Sequence, residues 1–533
     1  MNGNKFSNQF RTCEATGLKV HLPAQKLFWV NAVSAVVFLL VGAIMAIMVA
    51  LTRGFPSAHI ITDSMFYQFL TAHGTNMLVF WIVFFEMAGL IFGATAILGS
   101  RFPAIKLAWF NWIIMIIGAI MVNYSIFWEG TDVMFTAYPP LAAKSPFFYL
   151  GIVLFAVGAL IYCFQFLIAL VIAKKEGWHE GSLPLFTFAL VTAAIIAIFT
   201  LLMGAITFVP ALLFSLKDWG LDLGINIDPA VFRLTFWGFG HSAQQINLAA
   251  MVGIWYLLGT LTVGAQPVNE KLSRWAFFLY IIAINLGSIH HLLVDPALKS
   301  TYKIFNTTYL MYAAVIGSLI HAVSIPAAIE VAQRKKGYTK GLFQWLRKAP
   351  WSDPGFSGLA ISLVMFGFIG GVTGVVMSVE QLNILHHNNL RVPGHFHATV
   401  VAGTSLAFMV VAYKLIPLAL QRKIVSEKMA KIQPYVFGIG ILMVIVGMTF
   451  AGIMGVPRRS WDINSLGANI FSSGAYSMLV LVGIGGVVAF IGLLMFIVNA
   501  VLSVFFGKKI PSKIEIHNPP YETASAKAVT AES

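Results

Sequence analysis

Histidines inside apolar segments are the residues of this chain best suited to metal chemistry. His395 and His397 lie two positions apart in Val-Pro-Gly-His-Phe-His, at the start of a long apolar segment. On a helix of 3.6 residues per turn they point to nearly opposite faces, so one helix can serve two different metal groups. Imidazole is the usual axial ligand of haem iron, and a histidine within an apolar span predicts a functional site by default. The alternative for this pair is a role in helix packing.

A second set of nitrogen ligands comes from two other apolar segments. His241 lies in Trp-Gly-Phe-Gly-His-Ser-Ala-Gln-Gln, and Gln245 follows one helical turn later on the same face. The adjacent His290 and His291 diverge by about 100° on a helix, so both reach one metal only if it lies close to the backbone. With His241 they offer three neutral nitrogens, a set suited to copper or non-haem iron. Hydrogen bonding between helices is the competing explanation for these polar residues.

The composition of the chain indicates a membrane protein. Of its 533 residues, 59% are hydrophobic and 10% are charged, and the mean hydropathy is +0.84. A soluble globular protein is far less apolar. Twelve apolar runs are each long enough to cross roughly 30 Å of hydrocarbon. We therefore predict an all-α integral membrane protein with about 12 transmembrane helices, over residues 27–51, 66–98, 106–124, 146–174, 183–214, 230–262, 275–294, 305–333, 356–380, 393–419, 435–456 and 476–506.

The positions of lysine and arginine predict the orientation of these helices. The loops on the same side as the N-terminus carry most of the basic residues, for example Lys174 and Lys175. The positive-inside rule therefore places both termini in the cytoplasm. The same loops account for the net charge of +14, so this charge does not indicate nucleic-acid binding. We expect a cytoplasmic segment over 1–26, a twelve-helix catalytic domain over 27–506 and a disordered cytoplasmic tail over 507–533.

All of the candidate histidines fall at about the same depth in the membrane. Counting the alternating directions of the spans places each of them in the outer part. Chance placement would scatter them, so the common depth favours a shared site. His73 and His397 can sandwich one haem, leaving it six-coordinate, low-spin and suited to electron transfer. The full set is His73, His241, His290, His291, His395 and His397.

Two further groups of residues indicate carboxylate binding and proton transfer. Arg458 and Arg459 lie on the outer side, where the positive-inside rule disfavours them. Arginine binds carboxylates bidentately, so we expect them to bind haem propionates. In the spans, hydroxyl and imidazole groups can relay protons from the cytoplasm or, equally, join helices by hydrogen bonds. This last set comprises Tyr256, Tyr312, Ser318 and His321.

The pattern resembles subunit I of the haem-copper oxidase superfamily, most closely its B-type branch. The matching pieces cover nearly the whole chain: Tyr-Pro-Pro-Leu, Phe-Trp-Gly-Phe-Gly-His, His-His-Leu-Leu-Val-Asp-Pro, Val-Pro-Gly-His-Phe-His and Val-Pro-Arg-Arg. The resemblance implies two haems and a facing metal. The ligands that it implies are His73 and His397 for the low-spin haem, His395 for the high-spin haem, and His241, His290 and His291 for the metal. It also implies that His387 and Asn383 lie near the propionates of the high-spin haem.

One position departs from the oxygen-reducing members of this superfamily. Their pattern resembles His-Pro-x-Val-Tyr, in which the tyrosine supplies an electron and a proton for splitting the O–O bond. Here the segment reads His-Ser-Ala-Gln-Gln, with Gln245 in the place of the tyrosine. Another branch takes its tyrosine from the seventh helix, where this chain has Ile284, with Tyr280 one turn further away. In the cytochrome c-dependent nitric oxide reductases of the superfamily, the position of Gln245 is a glutamate beside a non-haem iron.

The resemblance and this departure together predict the catalytic subunit of a respiratory nitric oxide reductase, an oxidoreductase of denitrification. We expect two haems of b type and one non-haem metal, with iron favoured over copper. Gln245 would be a fourth ligand of that metal or a hydrogen-bond donor to the bound intermediate. The alternative is a terminal oxidase that reduces O₂ to water, in which Tyr256 or another residue replaces the missing tyrosine. A haem protein that senses gas is the alternative from another class.

Electrons are expected to reach this site from the outer face of the membrane. The only cysteines, Cys13 and Cys163, form no cluster, so a copper-thiolate centre is excluded within this chain. The resemblance implies a second subunit that carries a dinuclear copper or cytochrome c domain and docks on the outer face. We expect a multi-pass protein in the bilayer of a prokaryotic cell membrane, with NO, or O₂ in the alternative, as its substrate.

Overall fold

The computed structural model describes residues 9–14, 16–284, 287–296, 298–467, 470–511 and 514–516. Within these residues, eleven helices are long and apolar enough to cross a membrane. Each matches one of the predicted spans, so the predicted all-α membrane fold is confirmed. The eleven are α1 (Leu22–Gly54), α2 (Asp63–Ala94), α3 (Ile105–Phe127), α4 (Pro146–Lys175), α5 (Leu185–Trp219), α6 (Pro229–Val263), α8 (Ser300–Lys335), α9 (Pro354–Ser378), α10 (Arg391–Leu420), α11 (Glu427–Ile453) and α12 (Ser473–Phe506).

The seventh predicted span is the one without a continuous long helix. Helix α7 (Glu270–Leu279) continues as a π-helical stretch, Tyr280–Ile284, up to the end of that described range. The chain is described again from residue 287, and a short 3₁₀ turn, Ile289–Leu292, carries the histidine pair. A 3₁₀ turn is wound more tightly than an α-helix, so the pair has a backbone geometry that helical periodicity did not predict.

Several helices contain wider π-helical turns, which are frequent at functional sites. One covers His397–Ser405, directly after the first histidine motif, and another covers Asn76–Trp81, directly after the turn that holds His73. Two more lie at Phe305–Met311 in α8 and Met365–Gly370 in α9. These stretches follow or face the candidate ligands, so they change the direction in which the ligand-bearing turns point.

Helix α6 carries His241 and Gln245 and has well-defined ends. Asp228 precedes it, and its side-chain oxygen accepts hydrogen bonds from the backbone nitrogens of Ala230 and Val231 at 2.8 Å. Pro229 occupies the first helical position, where its missing N–H costs no hydrogen bond. The helix ends at Gly264, which has a positive φ of 74°. These signals fix the start of the helix about three turns before His241.

The two ends of the chain meet in a three-stranded antiparallel sheet. Strand β1 (Gln9–Thr12) pairs with β2 (Lys19–His21) on one side and with β3 (Ile514–Ile516) on the other. The start of the tail that was predicted to be disordered is therefore a paired strand, and residues 517–533 lie outside the described residues. Arg11 is buried, and it donates hydrogen bonds to the carbonyl oxygens of Leu418 and Ala419 at the end of α10. We call the membrane face that carries this sheet the sheet side, and the opposite face the far side.

Other short elements connect the long helices. They are the helices Gln344–Arg347 and Glu380–His386 and the 3₁₀ turns Pro56–Ala58 and Asn464–Leu466. Glu380–His386 leads into α10 on the far side, and Asn389 beyond it forms an isolated bridge with Pro457. This bridge holds the start of α10 against the loop of Arg458 and Arg459.

Candidate metal centres

Three histidine side chains from α6 and the 3₁₀ turn form one compact cluster near the far side. The ligand nitrogens of His241, His290 and His291 all lie within 4.8 Å of one another. His241 Nδ1 is 3.2 Å from His291 Nε2, and the ring centres of His241 and His290 are 4.4 Å apart. Nitrogens bound to one metal at about 2 Å each lie roughly 3–4 Å apart, so a small contraction would complete a three-nitrogen metal site. The sequence predicted this group of three.

Trp237 fixes the ring of His291 from one side. The two rings are parallel within 3°, with centres 3.8 Å apart. The Trp237 indole N–H donates a hydrogen bond to the hydroxyl of Tyr138, from the Tyr-Pro-Pro-Leu loop. Burial raises the pKa of Tyr138, and the Trp237 hydrogen bond partly opposes this rise. The residue composition of this loop did not predict a role at the site, yet Tyr138 supports the histidine cluster through Trp237.

Gln245 contacts the cluster from the side of His241 that faces away from His291. Its amide nitrogen lies 3.2 Å from His241 Nε2, whereas His241 Nδ1 faces His291. The Gln245 Oε1 atom is buried and has no hydrogen-bond partner among the described residues. The amide is therefore placed to bond to the ring of a ligand and to present its other polar atom to the cavity.

His395 lies across a large cavity from this cluster. The cavity has a volume of about 530 Å³ and is lined by His395, Gln245 and the three clustered histidines. His395 Nδ1 is 3.0 Å from the hydroxyl of Thr373 on α9, which leaves Nε2 available to a ligand. Gly374 faces the same ring, and a Cβ atom there would lie 2.9 Å from His395 Cε1. The imidazole is thus held by one partner and by a close glycine contact.

His73 and His397 face each other across a second cavity. Their ring centres are 6.4 Å apart and their planes differ by 26°. Each Nδ1 is bonded to a backbone carbonyl, that of Gly42 for His73 and that of Pro393 for His397, so each Nε2 is available. Two imidazoles bound to opposite sides of one metal at about 2 Å each have ring centres roughly 6 Å apart. The cavity has a volume of about 270 Å³.

The far ends of both cavities are lined by arginines, of which Arg53 is buried and Arg458 and Arg459 are half-buried. Arg458 lines both, and Arg459 and Arg53 line the second. Burial and, to a smaller extent, the neighbouring Arg459 lower the pKa of Arg458 to about 10. Arg458 Nε and Arg53 Nε are buried without a partner among the described residues. Neighbouring cations with buried, unpaired N–H donors fit carboxylate groups entering from the cavities. Arg53, at the far end of α1, was not predicted, because a basic residue at a helix end is common.

His387 and Asn383 line the first cavity near these arginines. Burial and the nearby Arg458 and Arg459 lower the pKa of His387 to about 4, so this imidazole is neutral at pH 7. Asn383 donates a hydrogen bond to the carbonyl of Met377 at 2.6 Å, and its Oδ1 has no partner among the described residues. Both residues therefore lie at the far end of the cavity of His395, and their position beside haem propionates stays a prediction.

The predicted proton-transfer residues form three separate groups of contacts rather than one chain. Tyr256 OH lies 3.0 Å from both His321 Nδ1 and Ser273 Oγ, and it does not line the large cavity. Ser318 Oγ lies 3.0 Å from the hydroxyl of Tyr280, and both of these residues line the cavity. Tyr312 accepts a hydrogen bond from Ser378 at 3.3 Å. His321 also lines the cavity, so it links Tyr256 to it.

Tyr280 is the tyrosine that the sequence placed too far from the metals to matter. It is fully buried and lines the large cavity together with His241 and Gln245. The side chain of Ile284, one turn later, is not among those that the structure describes. The π-helical stretch that begins at Tyr280 widens the helix there, which is a feature that a regular helical spacing cannot anticipate.

The two cavities fit the groups that the sequence predicted. Each is lined by imidazoles with an available nitrogen, by mostly apolar side chains, and by Arg458 at the far end, which Arg53 and Arg459 join in the second cavity. The cluster of three neutral imidazoles fits copper or non-haem iron. Ligand cavities of several hundred Å³ with a few convergent polar groups are typical of cofactor sites.

Comparisons with known proteins agree with this arrangement. Residues 26–488 match the family described as cytochrome c and quinol oxidase polypeptide I. The chain is 28% identical over 436 residues to cytochrome c oxidase subunit 1 of Thermus thermophilus, covering 81% of this chain and 75% of that protein. It is 25% identical over 456 residues to quinol oxidase subunit 1 of Bacillus subtilis, covering 82% and 66% of the two chains. A solved haem-copper terminal oxidase dimer has the same fold, with a TM-score of 0.83 at 24% identity over 93% of this chain and 86% of the other.

Proposed function

Because the chain belongs to the cytochrome c and quinol oxidase polypeptide I family, we propose that it is the catalytic subunit of a membrane nitric oxide reductase. The reaction is 2 NO + 2 e⁻ + 2 H⁺ → N₂O + H₂O. The observation that carries the proposal is the contact between Gln245 and His241 Nε2, where an amide occupies the position from which a phenol would serve oxygen reduction. An amide cannot supply an electron, and the coupling of two NO molecules needs no fourth electron from the protein.

Gln245 has a defined role in this proposal. Nδ1 of His241 faces His291, so metal binding at Nδ1 would leave the ring proton on Nε2. A half-turn of the Gln245 amide exchanges the positions of its nitrogen and its oxygen. In that orientation Oε1 accepts a hydrogen bond from His241 Nε2–H. This leaves the amide NH₂ free to donate a hydrogen bond into the cavity, where charge develops on the reacting oxygen. A donor role is favoured over a fourth metal bond.

The histidines hold the redox groups. His241, His290 and His291 would hold the non-haem metal, for which we favour iron over copper, and His395 would hold the high-spin haem. When bound, these two metals supply electrons and two adjacent binding positions for NO. Trp237 and Thr373 fix the rings of His291 and His395, which keeps the facing imidazoles in place during the reaction.

The second cavity would carry electrons into the site. His73 and His397 would hold a low-spin haem of b type, with Arg53, Arg458 and Arg459 binding propionates at its far end. Arg458 lines both cavities, so the propionates of both haems would converge on one arginine. Electrons would therefore enter from the far side, which we take as the outer face of a prokaryotic cell membrane. A second subunit with a dinuclear copper or cytochrome c domain would dock there.

One observation favours an oxidase as the second candidate. The relatives are named as oxidases, and the buried phenol of Tyr280 lines the same cavity as the three clustered histidines. A terminal oxidase reducing O₂ to water would use Tyr280 as the source of its fourth electron. Tyr256, the earlier candidate for this role, is bonded to Ser273 and His321 and does not line the cavity.

The two reactions separate in one experiment on the purified complex. Turnover with NO and with O₂ is measured side by side from the same reduced preparation, together with its iron and copper content. N₂O formation, weak oxygen consumption and three irons without active-site copper would support the reductase. Rapid reduction of O₂ to water with one active-site copper would replace it by the oxidase.

A further inference from the structure

Glu86 is a buried carboxyl group that none of the contacts described above involves. It lies on α2, 13 residues after His73, and is 5% exposed. The other buried acidic side chains of the described residues have partners: Asp295 pairs with Arg233 at 2.5 Å, and Asp462 accepts from the backbone nitrogen of Asn464 at 2.8 Å. Glu86 takes part in none of the ion pairs of the described residues. Acidic residues are rare in membrane spans and are retained there for proton or ion transfer.

Asn247 connects Glu86 with the large cavity. In the amide orientation that satisfies both ends of Asn247, its nitrogen donates to Glu86 Oε1 at 2.9 Å and to the carbonyl of Ala243 at 3.2 Å. In that orientation the other end of the amide is the oxygen Oδ1, 3.4 Å from the Oε1 position of Gln244, and Gln244 lines the cavity. Oδ1 accepts a hydrogen bond from Gln244 once the Gln244 amide makes the same half-turn. Asn247 follows His241 by six residues, which is about 9 Å along the helix axis. A continuous set of polar side chains thus leads from Glu86 to the site.

Polar groups continue from Glu86 toward the sheet side. Cys163 on α4 is fully buried and interacts electrostatically with Glu86. The preceding Tyr162 accepts a hydrogen bond from Asn31 at 3.3 Å. One turn nearer the sheet side, Gln165 accepts from Asn111 at 2.7 Å and donates to the carbonyl of Ala104, at the start of α3, at 3.2 Å. These amides and this phenol are buried between membrane-spanning helices, where most side chains are apolar.

This region also has buried polar atoms that lack a partner among the residues that the structure describes. They include Asn31 Oδ1 and Asn111 Oδ1. Unsatisfied buried polar atoms in native proteins are the usual binding points of internal water, and each such water makes about three hydrogen bonds. Water bound at these atoms would join the side chains into a hydrogen-bonded path, because amides alone do not pass protons on.

We propose that Glu86 takes protons from the sheet side and delivers them to the large cavity past Asn247 and Gln244, by a route separate from Tyr256 and His321. A buried carboxyl with no cation beside it stays protonated, because its ionisation would place an uncompensated charge in an apolar environment. It releases that proton when reduction of the substrate draws positive charge into the cavity, and it is then reprotonated from the sheet side. One proton moves per cycle of the carboxyl, and no electron is exchanged with it. The inference rests on proton consumption in the cavity, and therefore on the proposed reaction class but not on which gas is reduced.

The test compares Glu86→Gln with Glu86→Asp and with Tyr256→Phe in the purified complex. Glu86→Gln should lower turnover roughly 100-fold, the lower end of what a positioned proton-transfer group contributes. Glu86→Asp, which keeps a carboxyl, should recover part of this loss. Reduction of both haems by an artificial donor, with no gas present, should keep the wild-type rate, because that step does not require protons at the cavity. Tyr256→Phe serves as the matched control for the other route.

The outcomes separate the inference from the proposed function. If Glu86→Gln turns over at the wild-type rate while Tyr256→Phe is slow, the inference is wrong and the proposed reaction stands. If the wild-type complex reduces neither NO nor O₂, the proposed function fails first. If Glu86→Gln loses its haems, the inference is tested instead by the infrared difference spectrum between the oxidised and reduced wild-type complex. A protonated-carboxyl band that shifts with redox state and moves in Asn247→Ala supports the route, and a spectrum without such a band overturns it.

Discussion

Gln245 lies one helical turn after His241, and its amide nitrogen is 3.2 Å from His241 Nε2. The same imidazole turns its Nδ1 toward His291 at 3.2 Å. One ring therefore joins two different environments, the histidine cluster on one edge and the amide on the other. This arrangement would let His241 bind a metal through one nitrogen while its other nitrogen is hydrogen-bonded to Gln245.

Removal of the Gln245 amide should affect turnover but not metal content. Gln245→Leu keeps the size of the side chain and deletes both polar atoms, so NO turnover should fall about 100-fold, as on loss of one positioned donor in other enzymes. The non-haem metal should remain, because the three clustered histidines hold it. Turnover and metal analysis on the same preparation check this, with Gln245→Glu as the polar control. Loss of the metal in Gln245→Leu would instead make Gln245 a ligand.

The two haem sites should be lost separately. His73→Ala should remove the low-spin haem while the high-spin haem stays, since His395 lies in the other cavity. His395→Ala should remove the five-coordinate signal of the high-spin haem and leave the low-spin spectrum. Optical spectra of the reduced proteins and haem content per chain measure both effects. His179→Ala, on the sheet side, is the matched control, and loss of both haems from a single variant would contradict the assignment.

Tyr280 distinguishes the two candidate reactions by a single atom. Tyr280→Phe removes the hydroxyl that lies 3.0 Å from Ser318 Oγ and leaves the ring in its buried position. For a nitric oxide reductase, we expect NO turnover within about fivefold of wild type, because a lost hydrogen bond between neutral groups is worth only about 1 kcal/mol. Steady-state NO and O₂ consumption by the variant give the answer. Loss of a rapid O₂ activity in this variant would identify Tyr280 as a redox partner.

An ion pair on the sheet side should make stability depend on pH. Burial alone would raise the pKa of Glu176, but hydrogen bonds from Arg101 and Trp178 lower its pKa below 4.5. The unfolded chain then binds more protons at Glu176 than the folded chain does. This stabilisation is therefore present above about pH 4.5 and is lost as the pH falls through the folded value. Because Arg101 is partly exposed, we expect at most about 1 kcal/mol.

Thermal unfolding of the detergent-purified chain against pH measures this contribution. The difference between wild type and Glu176→Gln should be constant near neutral pH and shrink in acid. Arg101→Gln should give the same change, because both variants break one bidentate pair. A difference that stays constant down to the most acid pH would show that Glu176 is not the titrating group.

The parts of the site that could be predicted from the sequence are those governed by regular geometry. Apolar runs predicted the long helices. The spacing of His395 and His397 predicted that they lie on opposite faces of one helix, and the two residues line different cavities. Predictions based on a regular helix were incomplete where the backbone departs from one. The 3₁₀ turn brings both His290 and His291 to one cluster, and the π-helical stretch places Tyr280 in the cavity.

The residues that support the candidate ligands could not be predicted from the sequence, for a different reason. Trp237, Thr373 and Arg53 belong to residue types that are common at helix surfaces and ends, and only long-range contacts give them a role. Glu86 is a charge within an apolar span that the sequence analysis did not single out, and its neighbour Asn247 is on another helix. A single sequence without its contacts does not indicate which of these polar residues face each other.

The pairing of β1 with β3 constrains how often the chain crosses the bilayer. Two hydrogen-bonded strands must lie in one compartment, so the polypeptide between Thr12 and Ile514 makes an even number of passes. The eleven continuous helices alone make an odd number. The segment from Glu270 through the His290–His291 turn must therefore be a full pass itself. The broken helix that carries two ligands of the cluster is thus required by parity to run from one membrane surface to the other.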